Sequence, residues 1–138
     1  MLNKIEEMRE EAEQWFKEAI RELELARHLL EIGYLNYAAF HSHQAAEKAL
    51  KALIIVRLRM LPPKTHNLLE LAEKLRNGSI AIDDVLDDLR DLNPHYLVAR
   101  YPDAANGVPS EVYSRREAQH CVESASKVVE WARRLFMS

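Results

Sequence analysis

The chain has 138 residues, of which 48% are hydrophobic and 30% charged, and its formal net charge is −3. This length fits one domain over residues 1–138, and the weak negative charge excludes the globally basic surface of a nonspecific DNA-coating protein. Cys121, the single cysteine, has no partner for an internal disulfide, and no apolar run approaches the roughly 18 residues of a membrane span. We therefore expect a cytoplasmic protein without a membrane segment.

The N-terminal segment predicts a long amphipathic helix from about Leu2 to Ile32. Its apolar residues recur at alternating steps of three and four, which places them on one helical face. They are Ile5, Met8, Ala12, Trp15, Ala19, Leu23, Ala26 and Leu30. Gly33 is suited to end the helix in a left-handed conformation. The opposite face is acidic, which is typical of a solvated surface.

A second helix is predicted from about Asn36 to Met60, because Pro62 and Pro63 cannot continue the helical hydrogen-bond ladder. The C-terminal half of this helix is apolar on nearly all sides, which indicates the central helix of a bundle. Its polar residues recur at steps of four and three and share one stripe. The stripe consists of Tyr37, His41, Gln44, Lys48 and Lys51.

Two short helices follow in the prediction. The first begins at Asn67, which forms a capping-box pattern with Glu70, although Thr65 is an alternative cap, and it ends at Asn77-Gly78. The second covers about Ile82 to Leu92.

Residues Asn93 to Ser110 contain three prolines and no helical periodicity, and their aromatic residues indicate an ordered loop packed on the bundle. The last helix starts near Ser114 and reaches Phe136. The predicted fold class is therefore all-α: an antiparallel up-and-down helical bundle of three long helices and two short ones, with one long ordered loop.

Motifs for common catalytic or cofactor sites are missing from the sequence. There is no phosphate-binding GxxxxGKS, no GxGxxG, no HExxH and no cysteine cluster. The paired Glu and Glu-x-x-His set of a di-iron bundle is also missing. We therefore predict no metal and no cofactor.

The polar stripe of the second helix is the first candidate site. Lys48 and Lys51 are suited to phosphate, and His41 and Gln44 to a ribose or base edge. The alternative is a wet helix edge, with lysine stems lying over apolar neighbours.

Arginines at two other places extend the candidate set. Arg115 and Arg116 occupy the first turn of the last helix, where a bound anion would be favourable and where a salt bridge to the acidic first helix is the alternative. Arg100 lies in the loop and could reach the same site, or bond loop carbonyls instead. Arg115 and His120 also have the Arg-x4-6-His spacing of metal-free ribonucleases. The same spacing occurs at three other pairs: Arg21 and His28, Arg59 and His66, and Arg90 and His95.

Four stretches together resemble the HEPN (higher eukaryotes and prokaryotes nucleotide-binding) domain family, in its stand-alone archaeal or bacterial form. They are YAAFHSHQAAEKALKAL (37–53), THNLLELAEKL (65–75), LNPHYLVARYPDA (92–104) and VYSRREAQHCVESASKVVEWA (112–132). The resemblance implies an all-α homodimer that binds a nucleotide or RNA. It also implies a protein partner, a minimal nucleotidyltransferase, in a toxin–antitoxin-like pair.

We predict that the stripe of the second helix, the loop with Arg100 and the start of the last helix line one binding cleft. The phosphate ligands would be Lys48, Arg100, Arg115 and Arg116, and the sugar or base contacts would be His41, Gln44 and Tyr101. Two alternatives stay open. One is a metal-independent ribonuclease in which His120 is the base and Arg115 stabilises the transition state. The other is a non-catalytic structural partner of the nucleotidyltransferase.

Overall fold

The computed structural model describes residues 3–138, and within this range the chain contains helices and no β-strand. The predicted all-α class is confirmed. The helices in chain order are α1 (Lys4–Glu31), α2 (Leu35–Leu58), α3 (Leu68–Asn77), α4 (Leu86–Leu92), α5 (His95–Val98), α6 (Pro102–Ala105), α7 (Pro109–Val112) and α8 (Arg115–Met137). The predicted helix start at Leu2 lies outside the described residues. Helix α1 begins at Lys4, after a capping box formed by Asn3 and Glu6.

The three long helices α1, α2 and α8 form the bundle. Gly33 has a φ of 87° and turns the chain between α1 and α2, as predicted, because glycine adopts this conformation without a Cβ clash. The short connection makes α1 and α2 antiparallel neighbours. Helix α8 packs on both. Near the end of α2, Arg57 donates a 3.1 Å hydrogen bond to the carbonyl of Leu135 near the end of α8, so these two helices run in the same direction.

Helix α2 is the central element of the core, as predicted. All residues from 49 to 55 are buried, so this part of the helix has neighbours on every side. Full burial of one leucine or isoleucine side chain contributes about 1.5–3 kcal/mol. None of the helices in residues 3–138 has both the length and the apolar composition needed to cross a bilayer.

The segment between α2 and α8 differs in detail from the prediction. Helix α4 begins at Leu86 rather than near Ile82, because residues 83–85 form a turn. The predicted long loop contains three one-turn helices, α5 to α7. Two of them begin with a proline, Pro102 and Pro109, which suits a first helical position because no N–H is needed there.

A buried hydrogen bond fixes this segment to the start of α2. The Nδ2 atom of Asn36 donates to the carbonyl of Ala99 at 3.0 Å. Asn36 is buried, and such a bond is worth about 0.5–1.5 kcal/mol. The contact places Arg100, the next residue along the chain, beside α2.

Candidate functional site

Arg100 lies among three aromatic rings where the segment after α5 meets α2. Its guanidinium carbon is 4.5 Å from the ring centre of Phe40, 4.3 Å from that of Tyr96 and 4.8 Å from that of Tyr101. We call these four residues the Arg100 cluster. The Nε atom of Arg100 donates a 2.9 Å hydrogen bond to the carbonyl of Tyr96, so this arginine does bond a loop carbonyl.

The charge of Arg100 is not compensated by a carboxylate. None of the salt bridges between described residues involves Arg100. Its Nη2 atom is buried and has no hydrogen-bond partner in residues 3–138. Cation–π contacts of about 0.5–2 kcal/mol each hold the guanidinium in place instead. The cluster therefore presents a fixed positive charge.

Lys48 and His41 have a different environment, because both are paired with Glu22 of α1. Lys48 Nζ donates to Oε1 of Glu22 at 2.9 Å, and His41 Nδ1 lies 2.6 Å from Oε2. Burial alone would raise the pKa of Glu22, but the hydrogen bonds and charges of His41 and Lys48 outweigh it and lower that pKa below its usual value. The ionised carboxylate compensates the positive charge that the sequence suggested for this part of α2.

A groove of about 360 Å³ beside Lys48 is also lined by carboxylates. Its walls include Glu11 and Glu18 of α1, together with Trp15. The negative charge of these residues opposes phosphate binding next to Lys48. Arg100 therefore has surroundings more favourable to phosphate than those of Lys48.

Glu47 is a buried carboxylate in the middle of α2, and its side chain is only 4% exposed. Its Oε2 atom accepts a 3.0 Å hydrogen bond from Lys51 Nζ, and its Oε1 atom accepts a 2.9 Å bond from Nδ1 of His66. A buried charge is costly unless it is paired, and these two donors satisfy it. Lys51 is itself buried, so it is neither at a wet helix edge nor available to phosphate.

His43 lies beside Glu47 and is fully buried. Burial lowers its pKa to about 4, although the charge of Glu47 opposes the shift, so the ring is neutral at pH 7. Its Nε2 atom lies 2.9 Å from the carbonyl of His66. A carbonyl only accepts, so Nε2 carries the proton. The predicted ligand-binding residue Gln44 lies 3.2 Å from the Nδ1 atom of His43 and is half-buried.

His66 joins the Glu47 network to the Arg100 cluster. Its ring stacks on Tyr96, with 4.1 Å between ring centres and 12° between planes. His66, Tyr96 and Glu22 were not among the site residues predicted from the sequence. The available signals were weak: His66 belongs to one of the Arg-x4-6-His spacings, and Tyr96 was expected only to pack the loop.

The residues at the start of α8 contact other parts of the molecule. Arg115 donates from Nη1 to the carbonyl of Leu30, in the last turn of α1, at 3.0 Å. Its partner in α1 is thus a backbone carbonyl rather than a carboxylate. Arg116 is exposed. His120 Nε2 lies 2.9 Å from Oδ2 of Asp91 in α4, and both side chains are more than half exposed.

Arg115 and His120 face different neighbours. Five residues along an α-helix correspond to a rotation of about 140° around its axis. Arg115 therefore contacts α1, and His120 contacts α4. His41 contacts Phe40, and both Phe40 and Tyr101 contact Arg100. Arg115 and His120 instead contact Leu30 and Asp91, so the structure does not join them to this group.

A buried polar group also lies near the start of α8. His95 Nδ1 is 2.6 Å from the hydroxyl of Tyr113. Burial lowers the pKa of His95 and raises the pKa of Tyr113. Burial likewise raises the pKa of Cys121 to about 12, so this thiol is protonated and a poor nucleophile at neutral pH.

No group of three or more metal-ligating side chains with suitable geometry occurs within residues 3–138. What the Arg100 cluster and its neighbours do offer is a guanidinium, a stacked imidazole and tyrosine rings. These groups are suited to phosphate binding, base stacking and proton transfer.

The all-helical fold is shared with solved structures of one family of helical domains. The model of the HEPN domain family matches residues 12–135, so the chain belongs to the HEPN domain family. This confirms the resemblance found in the sequence. A Methanocaldococcus jannaschii protein named "Putative toxin MJ1304" is 26% identical over 127 residues, which are 86% of this chain and 84% of that protein.

Solved structures of similar proteins share the fold. TT1696 from Thermus thermophilus has a TM-score of 0.81 and 30% identity, over 89% of this chain and 96% of its own. ST0689, described as an archaeal HEPN homologue, has a TM-score of 0.73 and 31% identity, over 91% and 97%. The Thermotoga maritima HEPN domain protein tm0613 has a TM-score of 0.70 and 30% identity, over 88% and 96%.

Proposed function

We propose that this HEPN-domain protein binds the phosphate of a nucleotide or of RNA at the Arg100 cluster. One observation carries the proposal: a guanidinium held by three aromatic rings, without a carboxylate partner among the described residues. Apart from Nε, the N–H groups of Arg100 have no acceptor there. A phosphate oxygen would supply an acceptor for Nη1, which is not fully buried, whereas Nη2 is buried and Nε is already bonded.

The neighbouring side chains suit the rest of a nucleotide. Tyr101 is 45% exposed, and an exposed ring can stack with a base for about 1–3 kcal/mol. His41 contacts Phe40 edge to ring, with 5.1 Å between ring centres, and lies with Gln44 on the adjoining face of α2. These two side chains would contact the sugar or base. Lys48 would contribute to phosphate binding only after Glu22 releases it.

Ligand binding and one substitution test this proposal. The melting temperature of the protein is measured with ATP and with a short single-stranded RNA, and affinity is measured by titration at fixed salt. We expect both ligands to raise the melting temperature, and Arg100→Ala to remove the shift. Arg100→Lys should also weaken binding, because lysine lacks the planar guanidinium that the three rings hold in place.

Arg76→Ala is the matched control, since Arg76 is an exposed arginine in α3 that pairs with Glu73. Unchanged affinity in Arg100→Ala would overturn the assignment of this residue. A melting temperature that no nucleotide and no RNA changes would instead favour the structural-partner alternative.

We further propose that the protein acts with a minimal nucleotidyltransferase in a toxin–antitoxin-like pair. The support is the family membership and the M. jannaschii relative that is named as a toxin. Expression of the chain alone should slow growth of the host, and co-expression of a nucleotidyltransferase encoded beside it should restore growth. The two proteins should also copurify. Normal growth with the chain alone would contradict the pairing.

A ribonuclease centre at Arg115 and His120 is the second candidate. The hydrogen bond between Asp91 and His120 favours it, because a carboxylate orients the imidazole of many general bases. The separate directions of Arg115 and His120 weigh against a shared site. This alternative predicts RNA cleavage in EDTA that His120→Ala abolishes without unfolding the protein.

A further inference from the structure

A groove runs along the last part of α8, between this helix and the segment that joins α3 to α4. Its two parts have volumes of about 550 Å³ and about 350 Å³, and both are lined by Asp84, Trp131 and Arg134. The four residues of the Arg100 cluster do not line it. The proposed phosphate binding therefore does not use this groove.

The floor of the groove is apolar. Ile80, Val85 and Trp131 lie there, and all three are buried. The lining residues of α8 extend from Ser126 to Leu135, a length of about 14 Å along the helix axis. An extended peptide of about four residues has the same length. The groove is thus suited to a short peptide segment.

Two arginines beside this floor carry charges that no carboxylate of the described residues compensates. They are Arg57 and Arg134, which take part in none of the salt bridges within residues 3–138. The Nη1 atom of Arg57 donates only to neutral acceptors, the carbonyl of Leu135 and the hydroxyl of Ser138. Both guanidinium groups therefore keep their charge for an anionic guest.

The other charges at the groove are mostly compensated. Lys127 pairs with Asp88 at 3.3 Å, and Glu130 pairs with Arg133 at 2.6 Å. Of the carboxylates that line the groove, Asp84 alone has no salt bridge to a described residue. Two uncompensated cations against one carboxylate leave the groove positive, although the whole chain has a net charge of −3. Charge complementarity therefore favours an acidic guest, with its carboxylates away from Asp84.

The segment opposite α8 also has an unpaired backbone donor. Residues 80–82 are not helical, and Ile80 and Ile82 are buried while Ala81 is exposed, which is the alternation of an extended chain. The N–H of Ile80 donates to the carbonyl of Leu75 at 2.9 Å, whereas that of Ala81 has no acceptor in the described part of the chain. Extended peptides pair with such donors when they add to an exposed edge.

We propose that this groove binds an extended segment of a partner protein in which acidic residues alternate with apolar ones. Apolar side chains of the segment pack on Trp131, and its carboxylates pair with Arg57 and Arg134. One of its backbone carbonyls accepts a hydrogen bond from the N–H of Ala81. The inference goes beyond the proposed function and does not depend on the Arg100 cluster.

Three synthetic octapeptides test the groove: the acidic GELEVELG, the neutral GSLSVSLG and the basic GKLKVKLG. Binding is followed by the fluorescence of Trp131 in a Trp15→Phe protein, because these are the two tryptophans of the chain. We expect the acidic peptide to bind about tenfold more tightly than the basic one, with the neutral one between them. Equal affinities, a preference for the basic peptide, or no binding of any peptide would overturn the proposal.

Arg134→Glu is the decisive variant, because it reverses one charge of the groove. We expect it to bind the basic peptide about fivefold more tightly than the acidic one. Arg90→Glu is the matched control: it changes the net charge equally, at an exposed arginine of α4 that pairs with Asp87 and does not line the groove. Ala81→Pro removes the backbone donor and should weaken binding of all three peptides by about fivefold.

Three outcomes with the variants would overturn the proposal. One is an unchanged peptide preference in Arg134→Glu, or the same change in Arg90→Glu. Another is full affinity in Ala81→Pro, which would exclude pairing with the backbone. The third is a dimeric wild type that becomes monomeric in Arg134→Glu during sedimentation, which would show that a second copy of the chain covers the groove. Circular dichroism checks that each variant is folded.

Discussion

At the scale of single residues, burial sets the protonation state of His43. The ring is fully buried in α2, and its pKa falls to about 4. In the unfolded chain a histidine has a pKa of about 6.5, so between these values the unfolded state binds more protons than the native state. The free energy of unfolding is therefore unaffected by protonation of His43 above about pH 6.5. It decreases as the pH falls from 6.5 towards 4, because the unfolded chain then binds a proton that the native state does not. Burial lowers the pKa of His95 as well, which adds to the loss with the same sign.

We predict that acidification from pH 7 to pH 4 lowers the free energy of unfolding by up to about 3 kcal/mol through His43. Urea denaturation at a series of pH values measures this dependence. In His43→Gln the pH dependence between 4 and 6.5 should be shallower, even if the variant is less stable at neutral pH. The same slope in wild type and variant would contradict the role of His43.

Glu22 is the residue that sets the charge of the α2 stripe. Its carboxylate holds both His41 and Lys48, so Glu22→Gln should release these two side chains and remove a negative charge near the proposed phosphate site. We predict about a fivefold gain in ATP affinity, which corresponds to about 1 kcal/mol. Titration at constant salt measures the change. Glu24→Gln, at an exposed carboxylate of α1 that pairs with Arg21, is the control, and equal affinities in both variants would refute the prediction.

At the scale of helices, the site depends on the packing of several elements. Glu22 comes from α1, Glu47 from α2, Tyr96 from α5, and Arg100 from the residues between α5 and α6. His66 lies in the segment between α2 and α3. The hydrogen bond from Asn36 to the carbonyl of Ala99 positions the residues after α5, and with them the proposed site, against α2.

The turn between α1 and α2 gives a prediction for these elements. Gly33 has a φ of 87°, and a Cβ atom placed there would meet no other atom within 4 Å. Only backbone strain opposes a side chain, so Gly33→Ala should lower the free energy of unfolding by about 1 kcal/mol. Gly33→Asn should cost less, since asparagine tolerates the left-handed region. Urea denaturation compares the variants, and an alanine variant as stable as wild type would show that the turn rearranges.

At the scale of the whole molecule, exposed apolar side chains occur along the segment from α5 to α7. Apart from Tyr101 of the proposed binding site, these exposed residues are Leu97, Val108 and Val112. Isolated apolar residues are common on protein surfaces, but a series along one segment is typical of an interaction surface. The homodimer that the family resemblance implies would cover such a surface.

We therefore predict that the protein sediments with a mass near 32 kDa, twice the chain mass of 16.0 kDa. Analytical ultracentrifugation at micromolar concentration measures the mass. Val112→Glu should shift the equilibrium towards the monomer if this surface forms the contact, because a carboxylate is costly to bury. A wild-type mass of 16 kDa under these conditions would contradict the dimer.

Much of the fold followed from local patterns. The periodicity of apolar residues predicted the three long helices, Gly33 predicted the turn, and Asn67 and Ser114 predicted two helix starts that their side chains do cap. Where the prediction differed, local signals were weak. The one-turn helices α5 to α7 are too short to show a period, and the beginning of α4 depended on a turn over residues 83–85.

By itself, the amino-acid sequence determined the helical class, the central position of α2 and the membership of the HEPN domain family, and it predicted a role for Arg100. Only the tertiary structure decided which polar side chains pair with each other. Spacing along one helix shows which residues share a face, but Glu22, Glu47 and Asp91 meet their histidine partners across different elements. Charge compensation depends on distances between groups that are far apart in the chain. For this reason only the tertiary structure showed that Lys48 is paired with a carboxylate, whereas Arg100 has no such partner among the described residues.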